Sequence, residues 1–207
     1  LLGAGLAPGA VLAVGWGRTV QRVIAAGLPR LHGLVGVPSL GGMHQTASHF
    51  QINEFVRRAA AQMGAQAQFL HAPSIVSAEL RAVLARDPDT ARILDAWGRA
   101  EAAIVGIGQH QRDTGASPDL AEADAAVGDV VRHYVDVGGR NIIWPGQADL
   151  MSISRAQLQR IPLCIGLAIG REKAAAIIGA ARSGMVNALV TDTRAATAML
   201  ELLERGV

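Results

Sequence analysis

The stretch Ala10-Val11-Leu12-Ala13-Val14-Gly15-Trp16-Gly17-Arg18-Thr19-Val20 passes from a short apolar run, through a glycine turn, into a helical pattern. Glycine at such a turn permits positive φ and lets the backbone approach a ligand closely. A helix opening at Thr19 aims unpaired N–H groups and the positive end of its dipole at the same point. A phosphate or another anionic group fits there, although a tight strand-to-helix turn that binds nothing reads the same way.

From this turn outward, strand-like runs alternate with helix-like periodic segments. Val20, Val23, Ile24 and Leu28 share a helical face that Pro29 stops, and Leu31–Val37 reads as a second strand. The polar segment Gly41–Gln51 reads as a loop. Asn53 is placed to cap a helix carrying Phe55, Val56, Ala59, Ala60 and Met63, which Gly64 ends. Gln68–His71 reads as a short strand, and helices open at Ser77 and at Asp87-Pro88. Ala102–Val105 is a strand running into Gly106-Ile107-Gly108, and Val127–Val137 is one extended segment ended by Gly138-Gly139. Ser154 caps a short helix, Leu163–Ile169 is a central strand, and Arg171–Ser183 a helix. Ala188–Val190 and Thr193–Leu203 supply the last strand and helix. The alternation predicts an α/β fold with a Rossmann-like, doubly wound, mainly parallel sheet. Ligands of such sheets bind beyond the carboxyl ends of the strands, where strand order reverses.

Composition narrows the class. The 207 residues are 50% hydrophobic and 17% charged, which describes a packed domain rather than a disordered one. Aromatics are 3%, so Ala, Val, Ile and Leu must build the core. The net charge of +2 comes without a basic run, which argues against nucleic-acid binding by this segment itself. Apolar runs are broken well short of a membrane span. A single cysteine, Cys164, excludes an intrachain disulfide and fits a cytoplasmic location. Of the 19 cationic residues only Lys173 is lysine. The chain starts at Leu1 rather than Met, which leads to the expectation of a piece cut from a longer polypeptide.

Several motifs recur in a fixed order: Val14-Gly15-Trp16-Gly17-Arg18-Thr19-Val20, Ala72-Pro73-Ser74-Ile75-Val76, Val105-Gly106-Ile107-Gly108, Ala126-Val127-Gly128-Asp129, Asp136-Val137-Gly138-Gly139, Lys173 with Ala176-Ile177, and Asn187-Ala188-Leu189-Val190-Thr191-Asp192. The series spans nearly the whole chain and resembles the effector-binding, sugar-binding domain of the SorC family of bacterial transcriptional regulators. The resemblance implies a fold related to phosphosugar isomerases and deaminases, and residues 1–207 as one effector-binding domain. It implies a sensor whose ligand, a phosphorylated sugar or polyol, changes a homodimer or homotetramer and its grip on operator DNA. DNA would be held by the helix-turn-helix segment that the family places before this domain, a segment this sequence does not contain. Neither a cofactor nor a metal is implied.

Carried over by position, Gly15, Gly17, Arg18 and Thr19 would hold the phosphate. Lys173 would approach the ligand's oxygens, Asp136 would accept hydrogen bonds from sugar hydroxyls, and Asn53 would add a polar contact. Gly106 and Gly108 would let the ligand lie close to the backbone. Two departures stand out. The segment before Val-Gly-Asp is shorter than the family's, and the Gly41–Gln51 loop offers His44 and His49 where some relatives offer an arginine for a second phosphate, which points away from a bisphosphate.

Bland readings stand beside these. Asp136 next to two glycines suits a turn, Thr191-Asp192 suits a helix cap, and Trp16 suits packing as well as stacking on a sugar. His44 and His49 lack a third ligand at fitting spacing for a metal. The competing class is a phosphosugar isomerase or deaminase. Glucosamine phosphate deaminases and sugar phosphate lactonases, which are distantly similar, carry Asp-Gly-His shortly after a Gly-Ile-Gly-like motif. This chain reads Gly108-Gln109-His110-Gln111-Arg112 there, without the base that proton transfer beside a carbonyl requires. A pure oligomerisation domain fits the fold but leaves the polar strand ends unexplained.

Overall fold

In the computed structural model, which describes residues 1–3, 5–43, 51–110 and 125–207, β1 (Val11–Val14) is buried along its whole length. A strand whose every side chain is covered must lie between two layers, and the order of elements supplies them. They run α1 (Arg18–Ala26), β2 (Val35–Pro38), α2 (Ile52–Met63), β3 (Gln66–Ala67), α3 (Ala78–Leu84), α4 (Pro88–Gly98) and β4 (Ala100–Gln109). The chain continues through β5 (Ala126–Val130), β6 (His133–Asp136), β7 (Asn141–Ile142), α5 (Arg155–Leu158), β8 (Leu163–Leu167), α6 (Ala174–Arg182), β9 (Ala188–Val190) and α7 (Thr193–Glu204).

Six strands pair in parallel in the order β3-β2-β1-β4-β8-β9. From β1 the chain steps outward to β2 and β3, then returns to the other side of β1 with β4. Strand order therefore reverses between β1 and β4, and the crevice beyond their carboxyl ends is where such folds bind ligands. The end of β4 changes partners: Ile107, Gly108 and Gln109 pair antiparallel with Val130, Asp129 and Gly128 of β5. β5, β6 and β7 form an antiparallel ribbon that rises beside that crevice.

Alternation along the strands divides the core in two. Leu12, Val14, Ala102, Ile104, Ile165 and Leu167 face one way, onto Val20 and Ile24 of α1 and Phe55, Val56 and Met63 of α2. Val11, Ala13, Ala103, Val105 and Cys164 face the other, onto Ile93 and Trp97 of α4, Leu158 of α5, Ile177 of α6 and Ala195 of α7. Each large side chain buried to this extent contributes about 1.5–3 kcal/mol. Burial also pushes the Cys164 thiol up to about 12, so it is a small core hydrophobe.

Cap chemistry sets several helix ends where the sequence places them. Ser77 and Asp87 accept from the N–H groups of Leu80 and Thr90, and Ser154 forms a reciprocal capping box with Gln157. Gly64 closes α2 in the left-handed conformation at φ 70°. Asp192 caps α7 by accepting from the N–H of Ala195.

The structure corrects several local readings. Gln51, not Asn53, is the N-cap of α2. The strand expected at Gln68–His71 is instead the two-residue β3 just before it. The extended segment expected over Val127–Val137 is a hairpin, because Val131 and Arg132 both take positive φ (52° and 64°) and turn the chain back. Paired positive φ values are the signature of the tightest hairpin turn, and without glycine or asparagine there the sequence hides it. The helix expected from Arg171 begins with a 3₁₀ turn over Arg171–Lys173 before α6.

Candidate functional site

A cavity of about 670 Å³ opens at the β1/β4 reversal. Its floor and walls come from four places in the chain. The β1–α1 turn gives Trp16, Gly17, Arg18 and Thr19; the end of β4 gives Gly106, Ile107, Gly108 and Gln109; the β5–β6 hairpin gives Asp129, Val131, Arg132 and Tyr134; and the segment after β8 gives Ile169, Gly170, Glu172 and Lys173. Arg22, Arg194, Leu40 and Met43 complete it.

The turn is built on close backbone approach. A Cβ on Gly15 would lie 2.9 Å from the Ile104 carbonyl oxygen and the Val105 Cα, and one on Gly106 would lie 2.9 Å from the Trp16 carbonyl oxygen. The Gly15 N–H donates to the Ile104 carbonyl at 2.7 Å. These two glycines therefore clamp the ends of β1 and β4 together. Gly17, at φ 128°, is the N-cap of α1 and offers no side-chain acceptor, and no acidic residue stands in the first turn. The opening N–H groups of α1 thus face the cavity without a carboxylate of their own, the arrangement that receives an anion.

Lys173 reaches across from the 3₁₀ turn, and its Nζ donates to the Ile107 carbonyl at 3.1 Å. Burial is the main cause holding its pKa below the ordinary lysine value; the charges of Asp129 and Glu172 pull it back up, while Arg18 pushes it further down. Asp129 faces Gly108 across the β4–β5 pair, and a Cβ on Gly108 would fall 1.9 Å from Asp129 Oδ1. Its Oδ2 accepts from the Arg132 N–H at 2.9 Å. Burial raises the Asp129 carboxyl, opposed by that N–H and by the charges of Lys173, Arg132 and His133. The lining holds five cations, Arg18, Arg22, Arg132, Lys173 and Arg194, against the two carboxylates of Asp129 and Glu172. Such an excess in a walled cleft favours an anionic ligand.

Of the residues singled out in the sequence, Gly17, Arg18, Thr19, Gly106, Gly108 and Lys173 meet in this cavity. Gly15 lies one step behind the wall, buried. Gly106 and Gly108 also have a packing reason: their missing Cβ atoms make room for the Trp16 carbonyl and the Asp129 carboxyl. Asn53 and Asp136 are not brought to the cavity. The Asn53 amide is consumed by the main chain of Leu70, donating to its carbonyl at 3.0 Å and accepting its N–H at 3.2 Å. Asp136 closes the β6–β7 turn, accepting from the Arg140 main-chain N–H at 2.8 Å and its Nε at 2.6 Å. Burial alone would raise this carboxyl, but the hydrogen bonds and charge of Arg140 outweigh it and hold it below the usual carboxylate range.

Asp129, Arg132 and Tyr134 are among the cavity residues the sequence reading did not assign. The Val-Gly-Asp motif pointed at the first; the other two became visible only once the hairpin turned them inward. His110 stacks edge-on against Tyr134 at 6.1 Å between centroids and does not line the cavity. His44, His49 and Arg112 lie outside the described residues. Among the described residues no three His, Cys, Asp or Glu side chains are grouped to hold a metal, and no helix is long and apolar enough to cross a membrane.

Fold and site together define an α/β domain with a cation-rich crevice at the point where strand order reverses. Residues 1–201 match the family described as "Putative sugar-binding domain", and the chain belongs to that family. It is similar to the sorbitol operon regulator of Klebsiella pneumoniae, with 27% identity over 210 residues covering 95% of this chain and 66% of the regulator. It is also similar to the erythritol catabolism regulatory protein EryD of Brucella abortus (strain 2308), with 30% identity over 206 residues, 92% of this chain and 63% of that protein. Both relatives are regulators rather than enzymes. Among solved structures, the full-length sorbitol operon regulator SorC from Klebsiella pneumoniae superposes with a TM-score of 0.83 at 27% identity, covering 97% of this chain and 68% of that one. The probable sor operon regulator from Shigella flexneri gives 0.81 at 26% identity, covering 96% and 81%. The chain thus spans 63% to 66% of the length of these two curated relatives.

Proposed function

We propose that this chain is the effector-binding domain of a bacterial, cytoplasmic transcriptional regulator and that its effector is a phosphorylated sugar or polyol. The observation that carries this reading is the meeting of the uncapped α1 N-terminus at Gly17 with the half-buried Lys173 in one cavity at the β1/β4 reversal. The phosphate sits on the N–H groups of Arg18 and Thr19, with Lys173 beside it as a counter-charge. Asp129 accepts from sugar hydroxyls, and Trp16 and Tyr134 supply apolar surface. Occupancy shifts the equilibrium between homo-oligomeric states, dimer or tetramer. Operator DNA feels that shift through a helix-turn-helix segment of the full-length protein. Only a difference in affinity between the two states can drive such a switch.

A thermal-shift panel of free and phosphorylated sugars and polyols tests this reading. A ligand that binds only the folded state raises its melting temperature by mass action. Phosphorylated members are expected to raise it and their free counterparts to leave it unchanged. A panel without effect, or turnover of any sugar phosphate by the purified protein, would contradict it.

A further inference from the structure

Arg132 occupies a backbone position that resists it. It stands at φ 64° directly after Val131 at 52°, and these are the non-glycine residues with positive φ among those described. Left-handed backbone is unfavourable for side chains with a Cβ, and strain of this kind concentrates where a side chain is put to use. The guanidinium is then fixed in place: its Cζ stacks over the Trp144 ring at 4.9 Å from the centroid. The main chain on either side is anchored as well, the N–H on Asp129 Oδ2 at 2.9 Å and the carbonyl on Trp144 Nε1 at 3.2 Å. Yet the side chain forms no ion pair among the described residues, and its Nε is buried with no hydrogen-bond partner. Buried polar groups without partners call for an explanation, and this one belongs to a residue that lines the cavity.

We propose that Arg132 forms a second oxyanion subsite in the cavity, separate from the α1 N-terminus. The effector then carries a carboxylate or a second phosphate in addition to the phosphate held at Gly17–Thr19. This deepens the phosphosugar reading and rests on it. A planar guanidinium stacked on an indole presents its N–H edge in a fixed direction, which suits two-point recognition of an oxyanion.

Arg132→Gly isolates the side chain. Glycine adopts φ 64° freely, and both main-chain anchors survive the substitution, so the hairpin is expected to keep its shape. Calorimetry on wild type and variant would use two pairs of probes: glucose 6-phosphate against 6-phosphogluconate for the carboxylate, and fructose 6-phosphate against fructose 1,6-bisphosphate for the phosphate. Wild type is expected to favour one two-anion probe over its one-anion counterpart by roughly tenfold to a hundredfold. In Arg132→Gly that preference disappears, because two-anion affinity falls to the level of the one-anion counterpart. Arg132→Lys, which keeps the charge and loses the fork, is expected to recover part of it. A preference that persists in Arg132→Gly, or no preference in wild type, overturns the subsite and leaves the phosphosugar reading standing. A wild-type protein that binds none of the four overturns both.

Discussion

Lys173 Nζ donates to the carbonyl oxygen of Ile107 at 3.1 Å, tying the 3₁₀ turn after β8 to the point where β4 leaves the parallel sheet. One bond leaves two more donors on the ammonium. This is the chain's sole lysine, and in the folded protein those donors face a cavity with Asp129 within electrostatic range.

Lys173→Met therefore keeps the bulk of the stem and removes the charge. Sugar phosphate affinity is expected to fall about tenfold to a hundredfold, the worth of one charge-assisted hydrogen bond. Calorimetry checks the affinity and circular dichroism the fold.

The same lysine makes binding depend on pH. Its pKa in the folded protein lies below the ordinary 10.5, mainly through burial. Between the folded and unfolded values the folded state holds fewer protons, so the charged form in the empty cavity costs stability that is recovered as pH rises. An anion in the cavity reverses that preference and draws the proton back. Affinity for a sugar phosphate is thus expected to decline with rising pH before 10.5 is reached, and titrations across the alkaline range in wild type and Lys173→Met separate this from bulk effects. The variant's profile should be flat there.

Gly15→Ala and Gly106→Ala test the clamp between β1 and β4. Each new Cβ meets main chain at 2.9 Å, and backbone cannot rotate away as a side chain tip can. Overpacking of this kind costs about 1–3 kcal/mol. Denaturant unfolding is expected to show that loss for both.

Asp136→Asn is expected to destabilise without touching ligand affinity. The carboxylate is held below its usual range by Arg140, so its contribution is present above the unfolded value of 3.8 and is lost as pH falls through the lower folded value. Acid titration of stability should show wild type and variant converging at low pH, with unchanged sugar phosphate binding near neutrality.

The parallel sheet was legible because its signals are short-range and repeated: the Val11–Val14 run, the glycine turn after it, and caps at Ser77, Asp87, Ser154 and Asp192. The β1–α1 corner of the cavity was legible for the same reason, since Gly17, Arg18 and Thr19 are neighbours in sequence. The opposite wall was not. Val131 and Arg132 form a turn whose residues carry no turn signature, so β5 and β6 read as one strand and the cavity face of Asp129, Arg132 and Tyr134 stayed hidden. Asp136 and Asn53 were polar residues in suggestive places, but each found a main-chain partner through contacts that sequence spacing does not encode, Leu70 for Asn53 and the Arg140 turn for Asp136.

In the proposed complex the cavity at the β1/β4 reversal holds a phosphate on the α1 N-terminus beside Lys173. The most direct measurement is a crystal structure of the protein with the phosphorylated sugar or polyol that raises its melting temperature most. The phosphate is expected within hydrogen-bond distance of the main-chain N–H groups of Arg18 and Thr19 and of Lys173 Nζ. A phosphate bound elsewhere, with the Gly17–Thr19 turn and Lys173 left out of its contacts, would contradict this placement.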